Sequence, residues 1–239
     1  MQIIKLNAID STNQYLHDLI GQISLEDFAV VTARYQTKGR GQRATIWQSE
    51  KDKNLIISIL KKEIDLNPQH QFLLNIVVSL AVFKTLQAFK IPKLSIKWPN
   101  DILSHDKKIG GILIELILKK NTIDKAIIGI RLNINQTTFK DLPSASSLQN
   151  ITGIHYDLDE LLHKLLDNFK YYFSIKNTAE LWTTYESILF RKDKPSTFVS
   201  LNGDLFSGII KGVSQRGKLM VKTENFIEEF DLKSIKLLY

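Results

Sequence analysis

Ten residues, Lys38 to Trp47, hold three cations (Lys38, Arg40 and Arg43) and two glycines (Gly39 and Gly41), and end at an indole. Glycine lets the backbone turn through positive φ and brings its N–H groups close to a ligand, and successive N–H groups form a concavity that takes an anion. Arginine adds a planar fork of donors that matches carboxylate or phosphate. Two readings fit this stretch: a lid over an anionic small molecule, or a solvated basic loop turning between strands. Three further sets carry polar chemistry at short spacing. Asp10-Ser11-Thr12-Asn13 offers N-cap side chains and, behind them, the free N–H groups of a helix start. Lys97-Trp98-Pro99-Asn100-Asp101 is a strand broken by proline, which leaves side chains at a strand end. Lys108 stands before Gly110 and Gly111, paired glycines inside a strand pattern, where a bulge or a ligand lying against the backbone is expected.

The elements that must position these residues follow from periodicity. Gln2 to Leu6 reads as a strand, and Tyr15, Leu16, Leu19 and Ile20 share a helical face that Gly21 is expected to stop. Phe28 to Ala33 and Asn54 to Leu60 read as buried strands on either side of the basic stretch. From Asn67-Pro68 to about Phe89, apolar residues keep helical spacing, with Pro68 in the first turn, and this is the expected central helix. Ile109 to Leu118 and Lys125 to Asn135 form a hairpin, and Gly129 in its second strand repeats the implication of close approach. Pro143 to Ser147 is a loop. Helices are expected over Leu158 to Phe173 and Thr178 to Phe190, capped by Asp157 and Asn177. Beyond the charged linker Arg191 to Pro195, short strands separated by Asn202-Gly203 and Gln215-Arg216-Gly217 describe a small β module. The expected domains are therefore 1–190 and 191–239.

With 239 residues, 44% hydrophobic and 24% charged, the composition is that of a globular domain with a substantial core. The absence of cysteine excludes disulfides, thiolate nucleophiles and thiolate metal sites. No signal peptide is read at Met1 and no apolar run is read as long enough for a membrane span, so a cytoplasmic protein without membrane contact is expected. A net charge of +7 points to acidic partners, whether phosphorylated substrate, nucleic acid or acidic protein.

Taken in order, Asp10-Ser11-Thr12-Asn13, Gly39-Arg40-Gly41 with Trp47, Lys97-Trp98-Pro99-Asn100-Asp101, and Lys108 with Gly111-Ile112-Leu113 and Glu115 resemble the catalytic domain of biotin protein ligases. The resemblance implies an α+β fold: a mixed, largely antiparallel sheet with helices on one face and a C-terminal SH3-like barrel. It implies the form without an N-terminal DNA-binding domain. The implied activity is ATP-dependent formation of biotinyl-5′-AMP, then transfer of biotin to a lysine of a biotin carboxyl carrier protein, with Mg²⁺ accompanying ATP. Lys108, Arg40 and Asp101 are the implied catalytic residues. Asp101 would orient or deprotonate the carrier lysine or help hold the metal; otherwise it is an Asx turn residue. Ser11, Thr12, Asn13, Gln36, Gly39, Arg40, Gly41, Gln42, Lys108, Gly111 and Leu113 are implied at biotin, with Gly110 beside its tail. Arg40, Trp47, Asn100, Lys108 and Asn133 are implied at the nucleotide. No metal ligand set is assigned, no DNA is expected, and a homodimer is left open.

Three positions depart from the family's usual pattern. Gln42 and Ala44 replace an arginine and a glycine in the loop, and Arg131 replaces a glycine in Gly129-Ile130-Arg131-Leu132-Asn133. Either Arg131 turns outward or the pocket is reshaped. Two alternatives remain: a lipoate ligase or related acyl transferase of the same fold, and a nucleic-acid-binding module, which the +7 charge suggests.

Overall fold

The computed structural model describes residues 2–39, 50–224 and 226–239. Its centre is a seven-stranded sheet in the order β1-β2-β3-β7-β6-β5-β4, formed by β1 (Ile3–Leu6), β2 (Val30–Ala33), β3 (Asn54–Leu66), β4 (Leu94–Lys97), β5 (Asp101–Ser104), β6 (Lys107–Lys119) and β7 (Thr122–Asn133). Only β1 and β2 are parallel, and α1 (Thr12–Gln22) is the crossover between them. The long strands β3, β7 and β6 alternate along their central stretches, with register shifts in β3 after Lys62 and in β6 near Ile109 and Ile117. Ile128, Ile130 and Leu132 enter the main core, whereas Ile127 belongs to a smaller cluster on the other face with Leu16 of α1, Val31 and Leu60.

The main helical layer covers one face, and α1 lies alone on the opposite one. In that layer α2 (Phe72–Ala88) is buried on nearly every side, because the sheet, α4 (Leu158–Ser174) and α5 (Thr178–Ser187) enclose it. Its Phe72 and Phe83 are core residues. The segment Pro68–Ala88 is long and apolar enough to cross a membrane by length and composition, which corrects the expectation that no such run exists. Its apolar surface is instead turned into the core. A 3-10 turn at Pro68–His70, capped by Asn67, leads into it.

Gly21 does not stop α1, which runs one residue further and ends where Ile23 N–H still bonds Leu19 O. Two short elements escape the periodic reading: β5, which begins at Asp101 directly after the Pro99 turn, and α3 (Leu148–Thr152) within the region beyond Pro143. Asp157 and Asn177 cap α4 and α5 as their sequence positions predict.

The C-terminal strands β8 (Pro195–Ser200), β9 (Leu205–Val213), β10 (Leu219–Lys222), β11 (Ile227–Phe230) and β12 (Ile235–Leu238) make an antiparallel sheet in the order β11-β10-β9-β8-β12. Phe198, Ile210, Val213, Leu219 and Val221 from this sheet belong to the same apolar cluster as α2 and the large sheet. Polar bonds join the two as well: Trp98 Nε1 donates to Gly217 O at 2.9 Å, and Trp182 Nε1 to Val213 O at 3.1 Å. Gly217 has φ +83°, and a Cβ there would meet the Phe72 ring at 2.6 Å. The turn can lie between Phe72 and Trp98 only as glycine.

Candidate active site

A cavity of about 510 Å³ opens on the α1 face of the large sheet and runs to the inner side of the C-terminal strands. Its volume is that of a small-molecule site. Two adjacent rungs of the sheet make its floor. One is Leu113–Gly129, continued off the wall by the buried Ser58, and the next is Asp101–Gly111–Arg131–Ile56, each set by the pairing of β5, β6, β7 and β3. Cross-strand partners point the same way, and the rungs lie roughly 7 Å apart along the strands.

The first rung is roofed by the start of α1. The bridge between Ile9 and Gln36, with Lys38 N–H bonding Asp10 O, pins the approach to α1 against the segment after β2. Ser11 is the N-cap, its Oγ accepting from Gln14 N–H at 3.3 Å. Thr12 donates through both its N–H (2.8 Å) and Oγ1 (2.9 Å) to Gln36 Oε1. Ser58 Oγ lies 2.8 Å from Thr12 Oγ1 and 2.6 Å from Asn13 Oδ1, and Asn13 Nδ2 donates to Glu115 Oε2 at 2.6 Å. A serine has one hydroxyl proton, so Ser58 serves one of those two acceptors at a time. Gly129 is required here by the protein itself, since a Cβ would fall 2.5 Å from Asn13 Oδ1. Thr12 and Asn13 are almost fully buried, and this end of the cavity is neutral and rich in donors and acceptors.

The second rung leads to charge. Ile102 pairs with Gly110 but Leu103 pairs with Lys108, so Ile109 is the extra residue of a β-bulge. Counting back from Ile112, which faces the core, strict alternation would bury Lys108 as well. The bulge leaves Ile109 in the core and turns Lys108 to the cavity face. There Lys108 Nζ lies 2.6 Å from Asp101 Oδ1, both side chains being partly buried. The loop beyond β7 fixes the lysine backbone, with Lys108 N–H donating to Ser144 O at 2.7 Å and Ser146 N–H to Lys108 O at 3.0 Å. Lys97, cross-strand partner of Asp101, donates to the Tyr239 hydroxyl at 3.2 Å and sits 4.5 Å from that ring's centroid. Burial holds the Lys97 ammonium below its ordinary pKa, with Asp101 opposing. Burial and then Asp101 raise the Tyr239 phenol. Among the described residues, Lys97, Lys108, Arg131, Lys233 and Lys236 line the cavity against one carboxylate, Asp101. Such an excess of fixed positive charge suits an anionic ligand.

Of the residues expected at biotin, Ser11, Thr12, Asn13, Gln36, Lys108, Gly111 and Leu113 line this one cavity, as do Asn100 and Asp101. Gly39 is buried but not on its wall. Gly110 is not on the wall either: its missing side chain makes room for Leu132 Cδ2 and Arg131 O, which a Cβ would meet at 2.5 and 2.9 Å. Asn100 exchanges bonds with Ile112, its Nδ2 donating to Ile112 O at 2.6 Å and its O accepting from Ile112 N–H at 3.0 Å. Asn133 lies off the cavity wall, two residues beyond Arg131 on the same face, with Nδ2 donating to Ser146 O at 3.0 Å. Lys38, one of the three loop cations, pairs with Asp10 at 2.9 Å. Arg40, Gly41, Gln42 and Trp47 fall outside the described residues. Sequence reasoning assigned no role to Lys97, although its alternation with Ile96 marked it as facing away from the core.

Residues 6–133 match the biotin/lipoate A/B protein ligase family. The chain belongs to that family. It is 30% identical over 247 residues to the bifunctional ligase/repressor BirA of Bacillus spizizenii, with 98% of this chain and 74% of that protein covered. It is 28% identical over 228 residues to the biotin–[acetyl-CoA-carboxylase] ligase of Paracoccus denitrificans, with 91% of this chain and 92% of that one covered. Among solved structures, the biotin protein ligase of Aquifex aeolicus in complex with biotin and ATP superposes with a TM-score of 0.80 at 29% identity, covering 99% of this chain and 98% of the other. The neutral end and the charged end of this cavity call for a ligand that is itself divided that way.

Proposed function

We propose that the chain is an ATP-dependent ligase that activates biotin and transfers it to a lysine of a biotin carboxyl carrier domain. The carrying observation is the division of the cavity: neutral hydrogen-bonding groups of Ser11, Thr12, Asn13 and Gln36 at one end, and the Lys108–Asp101 pair in a cationic surround at the other. Biotin has a neutral ureido ring with donors and acceptors, an apolar tail and a terminal carboxylate. The first end suits the ring, the glycine-floored middle suits the tail, and Lys108 meets the carboxylate.

In the first step a carboxylate oxygen attacks the α-phosphorus of ATP, the bond to pyrophosphate breaks, and biotinyl-5′-AMP forms. Two anions approach, so fixed positive charge is needed where negative charge gathers, and Lys108 supplies it. In the second step the neutral amine of the carrier lysine attacks the acyl carbon, AMP leaves, and an amide forms. Asp101, beside Lys108, is the carboxylate placed to take the proton from that amine. Among the described residues no group of three His, Cys, Asp or Glu side chains is placed to hold a metal. With Asp101 as the one lining carboxylate, the donor set fits Mg²⁺ carried in on the triphosphate, where it neutralises phosphate charge. Asn100, on the cavity wall, is assigned to the nucleotide together with Arg40 and Trp47, and Gly41 and Gln42 to biotin; Asn133, off the wall, would act on the nucleotide side only through the Ser146 loop it holds.

The boundary between catalytic unit and C-terminal module is placed at about residue 190. The reading also places the protein in the cytoplasm, without DNA as a partner. The test is mass spectrometry of a carrier domain incubated with the protein, Mg·ATP and equimolar biotin and lipoate. A biotinyl adduct on one lysine, with AMP and pyrophosphate released, is expected. A lipoyl adduct, or an unmodified lysine after long incubation, overturns the reading.

A further inference from the structure

Arg131 is 7% exposed, on a strand in the middle of the sheet, and lines the cavity. Its place on the second rung is informative. Asp101 pairs with Gly111, and Gly111 pairs with Arg131, so a glycine alone separates the two charged residues across the sheet. Neighbouring strands lie about 4.8 Å apart, which sets the Asp101 and Arg131 backbones on the order of 10 Å from each other. Gly111 contributes no side chain to that gap. The result is a slot with a glycine floor, bounded on one side by Asp101 carrying Lys108 and on the other by an arginine. Ile56, next on the rung, closes the far side with an apolar wall.

We propose that Arg131 is a second cation for the anionic end of the ligand, binding the biotin carboxylate over Gly111 from the side opposite Lys108. The inference rests on the ligase reading and deepens it by adding a substrate-binding residue. The guanidinium fork matches a carboxylate with two parallel N–H bonds, and it matches equally the phosphate ester that replaces the carboxylate after activation. Burial pushes Arg131 down to about 9, with Tyr35 opposing, and an anion bound beside it would act in the same direction as Tyr35. The same side chain explains how a bulky residue is accommodated on a glycine-floored site. It enters the rung from β7, as Gly111's cross-strand partner, and both residues line the cavity. Gly129, on the neighbouring rung, has no such latitude, because Asn13 fills the space above it.

The test compares affinities for biotin and for biotin methyl ester, which keeps the ring and tail and lacks the negative charge. Calorimetry is run on the wild-type protein, Arg131→Met and Arg131→Lys, with the melting temperature of each recorded. The wild-type protein is expected to bind biotin at least roughly tenfold tighter than the ester, since a desolvated charge-assisted bond carries about that much selectivity. Arg131→Met is expected to lose most of that ratio through weaker biotin binding, with ester affinity within about threefold of wild type. Arg131→Lys, which keeps the charge but not the fork, falls between them. An unchanged ratio in Arg131→Met overturns the proposal, as does an equal loss for acid and ester. If Arg131→Met does not fold, a ratio in Arg131→Lys equal to the wild-type value overturns it, because the fork would then contribute nothing. A wild-type protein that binds neither compound overturns the ligase reading and this inference together.

Discussion

The rung Leu113–Gly129–Ser58 and the rung Asp101–Gly111–Arg131–Ile56 lie side by side on one face of one sheet, yet they are held in opposite ways. Around the first, Thr12, Asn13, Ser58 and Gln36 satisfy one another inside the fold, and α1 presses on them. Buried networks of that kind are costly to disturb and rigid when complete. Around the second, the charges are partly open to the cavity, and their partners come from three directions: the bulge in β6, the loop at Ser144 to Ser146, and Tyr239 beyond β12. The neutral rung is therefore built for shape and the charged rung for reaction. Changes at the first should appear as stability and affinity, and changes at the second as rate.

The sharpest way to break this contrast is Lys108→Ala. Removing the cation where two anions meet should lower biotin-dependent pyrophosphate release by roughly 10² to 10³-fold. The melting temperature should move little, because a partly exposed pair adds little to stability. A rate within fivefold of wild type would place the reaction elsewhere. Gly129→Ala is the counterpart on the neutral rung. Its methyl group would collide with Asn13 and disturb the bonds to Ser58 and Glu115. A loss of about 1–3 kcal/mol is expected from overpacking, read as a lower urea midpoint. The KM for biotin should rise while that for ATP stays near wild type. A variant with unchanged stability but a hundredfold lower kcat would reverse the roles given to the two rungs.

The smallest effect concerns Lys97, whose ammonium burial disfavours. Its folded pKa lies below the ordinary 10.5, so the charged form carries a cost at all pH values beneath the folded pKa. That cost is relieved as pH rises from the lowered value towards 10.5, where the unfolded chain still binds the proton. Wild-type stability should therefore gain on that of Lys97→Met across this window. Urea denaturation at pH 7.5 and pH 10 measures the difference, and a gap that widens against wild type at pH 10 would contradict the assignment.

Legibility differed between the rungs for the same reason. Asp157 and Asn177 announced themselves as caps, and Ser11 stood among four candidates, because capping is a matter of neighbouring residues. The β6–β7 hairpin was readable because alternation and a polar turn are local. Ordered motifs placed the site on Thr12, Gln36, Asn100, Asp101 and Lys108, all of which line the cavity. Gly110 and Gly129 showed as anomalies, but their cause did not, since the atoms that forbid a Cβ belong to Leu132, Arg131 and Asn13. The apolar run at Pro68–Ala88 was read as the central helix but not as one of membrane-spanning length, and only enclosure by the sheet, α4 and α5 explains its composition.

By itself the sequence determined most of the elements and caps, and the motifs whose residues gather at one cavity, since helix period, strand period and capping all act over a few positions. Tertiary structure alone decided which face Lys108 takes, because a single bulged residue at Ile109 inverts everything before it. It alone decided that Asp101, Gly111, Arg131 and Ile56 share a rung, because register between strands remote in sequence is fixed by packing of the whole sheet. Arg131 stood in the sequence as a residue out of place, and the rung sets it across Gly111 from Asp101 on the cavity wall.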